Sequence, residues 1–112
     1  MMKIWGMTDI GLVRKENQDA YAVRVSEETG HTICVVCDGM GGPGGGRLAS
    51  TLAVETFLDA CQGNLRPDMD AQAVRQVADF AVAAANRAVY QRSQTEPGLK
   101  GMGTTLVSAV TW

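Results

Sequence analysis

The chain lacks an excess of positive charge. Ten Lys and Arg stand against twelve Asp and Glu among 112 residues, a net charge of −2. That balance gives no electrostatic case for nucleic acid or an anionic membrane as a partner. It also lacks any apolar run near the ~20 residues needed to span a bilayer. Its opening stretch, Met1-Met2-Lys3-Ile4-Trp5-Gly6, contains no signal-peptide core. A cytoplasmic protein is the expectation. Cysteines are few and odd in number, three in all, which argues against a disulfide framework. Cys34 and Cys37 have C-x-x-C spacing, but the run Ile33-Cys34-Val35-Val36-Cys37 reads as a strand. Residues three apart on a strand point to opposite faces, so the two thiols do not readily share a metal or a disulfide. They read as core cysteines, as does Cys61 on a helical stripe. The sole histidine, His31, stands at a predicted strand start and reads as exposed or core-edge rather than as a general base.

What is present is globular: 46% hydrophobic and 20% charged residues, in a length suited to one small domain. Residues 3–10 could form a first strand, and the polar stretch 11–19 a loop. Residues 20–25 alternate as a second strand. Residues 31–37 form a third, whose near-continuous apolar run predicts burial on both faces. The second and third strands should pair as a hairpin. A helix is predicted over 46–62, with Ala49, Ala53, Phe57, Ala60 and Cys61 on one face beside Val54 and Leu58. Leu48 and Leu52 fall off that stripe. A second helix should be capped by Asp68 or Asp70 and carry the stripe Val74, Val77, Ala78, Ala81, Ala85, Ala88 and Val89. Pro97-Gly98 should stop it, and the β-branched run from Gly103 to the end reads as a last strand. The order is α+β: an antiparallel sheet with two helices covering one face. The chain stops on a strand and looks cut.

The chemistry concentrates at Val35-Val36-Cys37-Asp38-Gly39-Met40-Gly41-Gly42-Pro43-Gly44-Gly45-Gly46. An aspartate leaves an apolar strand and enters backbone that carries few side chains. Asp38 can offer carboxylate oxygens to a hard cation, and Gly39 its carbonyl or amide. Taken alone, the same residues describe a turn and a helix N-cap. Arg14 and Asp19 fall on the polar loop ahead of the hairpin. Alone they read as a structural ion pair. Beside Asp38, carboxylates for Mg²⁺ or Mn²⁺ and a guanidinium for phosphate are what phosphoryl chemistry needs. The glycine run lacks the Gly-Lys-Ser/Thr ending of a P-loop.

Four ordered segments carry a resemblance: Gly11-x-x-Arg14-x-x-Asn17-Gln18-Asp19, Val36-Cys37-Asp38-Gly39-Met40-Gly41-Gly42, Ala49-Ser50, and Gly101-Met102-Gly103-Thr104-Thr105. Together they resemble the PP2C (PPM) family of metal-dependent serine/threonine protein phosphatases in its bacterial form. The likeness covers roughly residues 6–110. It implies a β-sandwich flanked by helix pairs, of which this chain supplies about half, as the N-terminal part of the domain. It implies two Mn²⁺ or Mg²⁺ ions with a bridging hydroxide that attacks phosphorus. By position, Asp38 would bridge the metals, the Gly39 carbonyl would bind one, Asp19 would hold a metal or its water, and Arg14 would bind the substrate phosphate. The partner implied is a phosphorylated protein.

The chain departs from the pattern at three places. Gln18 stands where the family often has glutamate, though glutamine is usual in bacterial members; Met40 stands where some members carry a histidine general acid, and Pro43 where bacterial members often have histidine. The remainder of a family domain should add two more metal-binding aspartates, so these residues alone should be inactive. The alternative is a catalytically incomplete module that binds a partner or a single metal. The uncovered face of the sheet predicts association with a second copy, a homodimer packed sheet against sheet or edge to edge.

Overall fold

The computed structural model describes residues 18–42 and 44–112. The predicted strand at 3–10, Arg14 and Pro43 lie outside the described residues. Strand β1 is Asp19–Ser26 and β2 is His31–Met40. They pair antiparallel through a four-residue turn that closes Ser26 onto His31, with the Gly30 amide donating to the Ser26 carbonyl at 2.8 Å. The predicted hairpin therefore forms, longer than expected at both ends. Asp19 is the first residue of β1 rather than part of a loop. Asp38 lies inside β2, which runs on through Gly39 to Met40.

Helix α1 is Gly45–Asn64 and helix α2 is Ala71–Thr95. Among the alternatives open at the start of α2, Asp70 is the cap, its carboxylate accepting from the Ala73 amide at 2.8 Å. A 3-10 turn at Pro97–Leu99 follows α2. The chain then returns as β3, Gly103–Thr104, and β4, Val107–Thr111. Both pair antiparallel with β2, and one register runs through both pieces, from Met40↔Gly103 to Thr32↔Thr111. They are one strand path interrupted at Thr105-Leu106. The sheet places β2 in the middle, with β1 on one side and the β3–β4 path on the other.

The pleat sorts the side chains. Ile33, Val35 and Cys37 of β2 are fully buried on one face, beneath α1. They meet Ala49, Ala53, Phe57 and Cys61, the predicted stripe of α1, in a core that α2 completes through Val74, Val77, Ala81, Ala85 and Val89. Ala60, Ala78 and Ala88 of the predicted stripes are half-buried. Leu48 and Leu52 pack at the edge of the same core. Helix α1 lies on the sheet and α2 packs along α1. Arg24 at the rim of β1 ties the sheet to α1, donating to Gln62 Oε1 at 2.7 Å.

The other face corrects the reading of the third strand. Val36 is 55% exposed, and its neighbours Tyr21, Val23, Val25 and Val107 are exposed as well. The register sets them in one block, Tyr21↔Val36↔Val107 with Val23↔Cys34↔Ala109 alongside. One face is covered by helix and the other is an open apolar surface. Cys34 and Cys37 fall on opposite faces, as the strand period requires, and all three cysteines are free. His31 is buried at 1% exposure, its ring tilted against Trp112 with centroids 6.2 Å apart.

Candidate metal centre

The register of the hairpin decides where the carboxylates stand. Asp19 pairs directly with Asp38, so both side chains leave the same face of the sheet, at the end of the open apolar block. The hydrogen bonds fix the kind of pair. One step along, the Gly39 amide donates to the Gln18 carbonyl at 3.0 Å, a bond of the hydrogen-bonded type. Antiparallel ladders alternate, so Asp19–Asp38 is the non-hydrogen-bonded type, with Cα atoms about 4.5 Å apart and side chains close. On its other side Asp38 pairs with Thr105, whose amide donates to the Asp38 carbonyl at 2.9 Å. Asp19, Asp38 and Thr105 therefore form one row across the sheet.

Gly39 points the opposite way along the pleat and is buried against the start of α1. The approach is tight. A Cβ on Gly39 would collide with the Gly46 carbonyl and lie 2.8 Å from the Gln18 carbonyl oxygen. A Cβ on Gly46 would collide with the Gln18 side chain and lie 2.8 Å from the Met40 amide nitrogen. The glycines here are needed because three stretches of backbone meet. Among the described residues, the return bond from the Gln18 amide to the Gly39 carbonyl is not formed. Gln18 Oε1 is buried without a hydrogen-bond partner among the described residues.

Helix α1 opens at Gly44, in the left-handed region at φ 78°, with no side-chain cap. Asp38 is thus not a helix cap, and the backbone bends at Gly41 and Gly42 rather than at Asp38-Gly39. Behind the row, burial pushes the Cys37 thiol above its ordinary range, partly countered by a hydrogen bond with Thr104. A cavity of about 550 Å³ lies on the helical side of the sheet between α2 and residues 102–106, away from the carboxylates.

The site residues read from the sequence are thus brought together in part. Asp19 and Asp38 oppose each other and Gly39 adjoins them, while Arg14 lies outside the described residues. Among the described residues no group of three or more His, Cys, Asp or Glu gathers around a common point. Thr105 joins the row without having been singled out. Its signal in the sequence was only its place in Gly103-Thr104-Thr105.

The model of the protein phosphatase 2C family matches residues 13–111, and the chain belongs to that family. It is 33% identical over 103 residues to the serine/threonine phosphatase stp of Listeria monocytogenes, covering 92% of this chain and 40% of that protein. It is 36% identical over 101 residues to the serine/threonine protein phosphatase PstP of Mycobacterium tuberculosis, covering 90% of this chain and 18% of that protein. Among solved structures, the S. agalactiae serine/threonine phosphatase superposes with a TM-score of 0.80 at 28% identity, over 94% of this chain and 42% of that one. The catalytic domain of PstP, solved in complex with two manganese ions, superposes with a TM-score of 0.70 at 31% identity, over 95% of this chain and 41% of that one. The chain thus spans less than half the length of these relatives.

The residues present fit a divalent cation. Two carboxylates directly opposite on a sheet repel each other, and a cation between them turns that cost into attraction. The Gly39 carbonyl beside them is a hard oxygen donor of the kind Mg²⁺ and Mn²⁺ prefer.

Proposed function

We propose that this chain is the N-terminal part of a metal-dependent phosphatase domain that hydrolyses phosphoserine and phosphothreonine in proteins. The observation that carries the reading is the direct pairing of Asp19 with Asp38 on the open face, beside a Gly39 carbonyl that the ladder does not use. In this reading Asp38 would be the carboxylate shared by a Mn²⁺ or Mg²⁺ pair, the Gly39 carbonyl would hold one of the cations, and Asp19 would hold a metal or its water. When bound, such cations neutralise phosphate charge and supply a water acidic enough to attack phosphorus. Arg14 is assigned to the substrate phosphate, where a guanidinium offers two parallel donors and orients the phosphorus. The pairing of Asp19 with Asp38 on neighbouring strands supports this reading, because both side chains leave the same face of the sheet.

A second reading is a binding module that holds one metal or a partner without catalysis. It is favoured by the absence, among the described residues, of a third ligating side chain near the pair. Hydrolysis of p-nitrophenyl phosphate with Mn²⁺ separates the two. The assay compares these 112 residues with a longer form carrying the remaining span of the domain. Activity in the longer form alone supports the phosphatase, and no activity in either supports the module. In the active form, Asp38→Ala should abolish turnover, because no neighbouring group replaces a shared carboxylate. Arg14→Ala should mainly raise KM. Turnover by Asp38→Ala at the unmutated rate overturns the assignment.

A further inference from the structure

We propose that Thr105 is a positioning residue for Asp38, a role that rests on the metal-site reading above. Asp38 belongs to a non-hydrogen-bonded pair on the β1 side, so in the ladder its backbone is joined across the sheet on the Thr105 side. That junction is irregular. The Thr105 amide donates to the Asp38 carbonyl at 2.9 Å, as a regular ladder requires. The Asp38 amide, however, donates to the Thr105 hydroxyl oxygen at 3.1 Å, where a regular ladder would use the Thr105 carbonyl. That carbonyl instead accepts from the Thr104 hydroxyl at 2.8 Å.

The departure explains a feature of the fold. Register continues unbroken from β3 to β4, yet regular strand structure stops at Thr105-Leu106. A side-chain hydroxyl has replaced a backbone acceptor at Asp38, one of the two carboxylates on which the site depends. The substitution sets the peptide of Asp38 from a side chain, and with it the direction in which its carboxylate leaves the sheet. Partners that orient a ligand in this way typically change metal affinity 10–100-fold when removed. Thr105 is itself exposed, so its hydroxyl is not needed to fill the core.

The experiment is Mn²⁺ titration of the longer form, read by electron paramagnetic resonance of free Mn²⁺. Thr105→Val keeps the β-branched shape suited to a strand and removes the acceptor. It should weaken Mn²⁺ binding by about tenfold or more. Thr105→Ser keeps the hydroxyl and should bind within about threefold of the unmutated protein. Thr105→Ala, paired with Thr105→Ser, repeats the comparison without added bulk should the valine variant not fold. Unchanged binding in Thr105→Val, or equal losses in the serine and alanine variants, overturns the proposal. Asp38→Asn separates the two levels. If it loses Mn²⁺ while Thr105→Val retains it, only the positioning role falls. If Asp38→Asn retains Mn²⁺, the metal-site reading falls and this role with it.

Discussion

Gly39→Ala tests the junction on which the site is built. The three atoms nearest the added Cβ are all backbone: the carbonyl oxygen and carbon of Gly46 and the carbonyl oxygen of Gln18. No side chain can rotate away. Carbon contacts settle near 3.5–4.0 Å, so the start of α1 must retreat from β2 by more than ~1 Å. Overpacking usually costs about 1–3 kcal/mol, and a site with only backbone neighbours belongs at the upper end, ~3 kcal/mol. That is a large part of the roughly 5–15 kcal/mol that holds a domain together. With a urea m-value of about 1–3 kcal/mol/M, the unfolding midpoint should fall by roughly 1–3 M. Gly42→Ala is the control, because a Cβ there meets nothing within 4 Å. It should change stability by less than about 1 kcal/mol. Urea unfolding followed by circular dichroism reads both variants. Equal midpoints for Gly39→Ala and Gly42→Ala would refute the claim that three backbones meet too closely for a side chain.

Asp70→Ala removes the carboxylate that accepts the Ala73 amide at 2.8 Å, and should cost about 1 kcal/mol by the same urea assay. Burial raises the Cys61 thiol from 9.0 to about 11, so the buried neutral form favours the fold at lower pH. Its contribution is complete below pH 9.0 and is lost as pH rises through about 11, so stability should decline over that interval and recover in Cys61→Ala. At pH 8 a maleimide should label Cys34, on the open face, before the fully buried Cys37 and Cys61. The 112-residue chain should sediment as a dimer or larger species through the exposed Tyr21, Val36 and Val107, and a compact monomer with a cooperative melt would refute this.

The helices were legible because each residue's fate follows from its place on a stripe. Phe57 and Cys61 are buried, Glu55 and Asp59 are exposed, and Asp70 caps α2 at a place the sequence narrowed to two candidates. The burial of β2 was misread for a physical reason. An apolar β-branched run reads the same whether both of its faces are covered or only one, and here Val36 is exposed, with no helix above it among the described residues. The pairing of Asp19 with Asp38 could be read only after the turn was known. One residue more or less between Ser26 and His31 would have set the two carboxylates on opposite faces. The role of Thr105 had no signature in residue order, because it depends on a hydroxyl taking the place of a carbonyl in the ladder. Arg14 was legible only from the family motif.

The central claim is that Asp19 and Asp38 together hold a divalent cation. Mn²⁺ titration of the longer form, with Asp19→Ala, Asp38→Ala and the double variant, tests it most directly. Asp38→Ala should lose the most bound Mn²⁺, and Asp19→Ala should weaken binding at a site it shares. The double variant should then be no worse than Asp38→Ala, since one site cannot be lost twice. Undiminished Mn²⁺ binding in both single variants would contradict it.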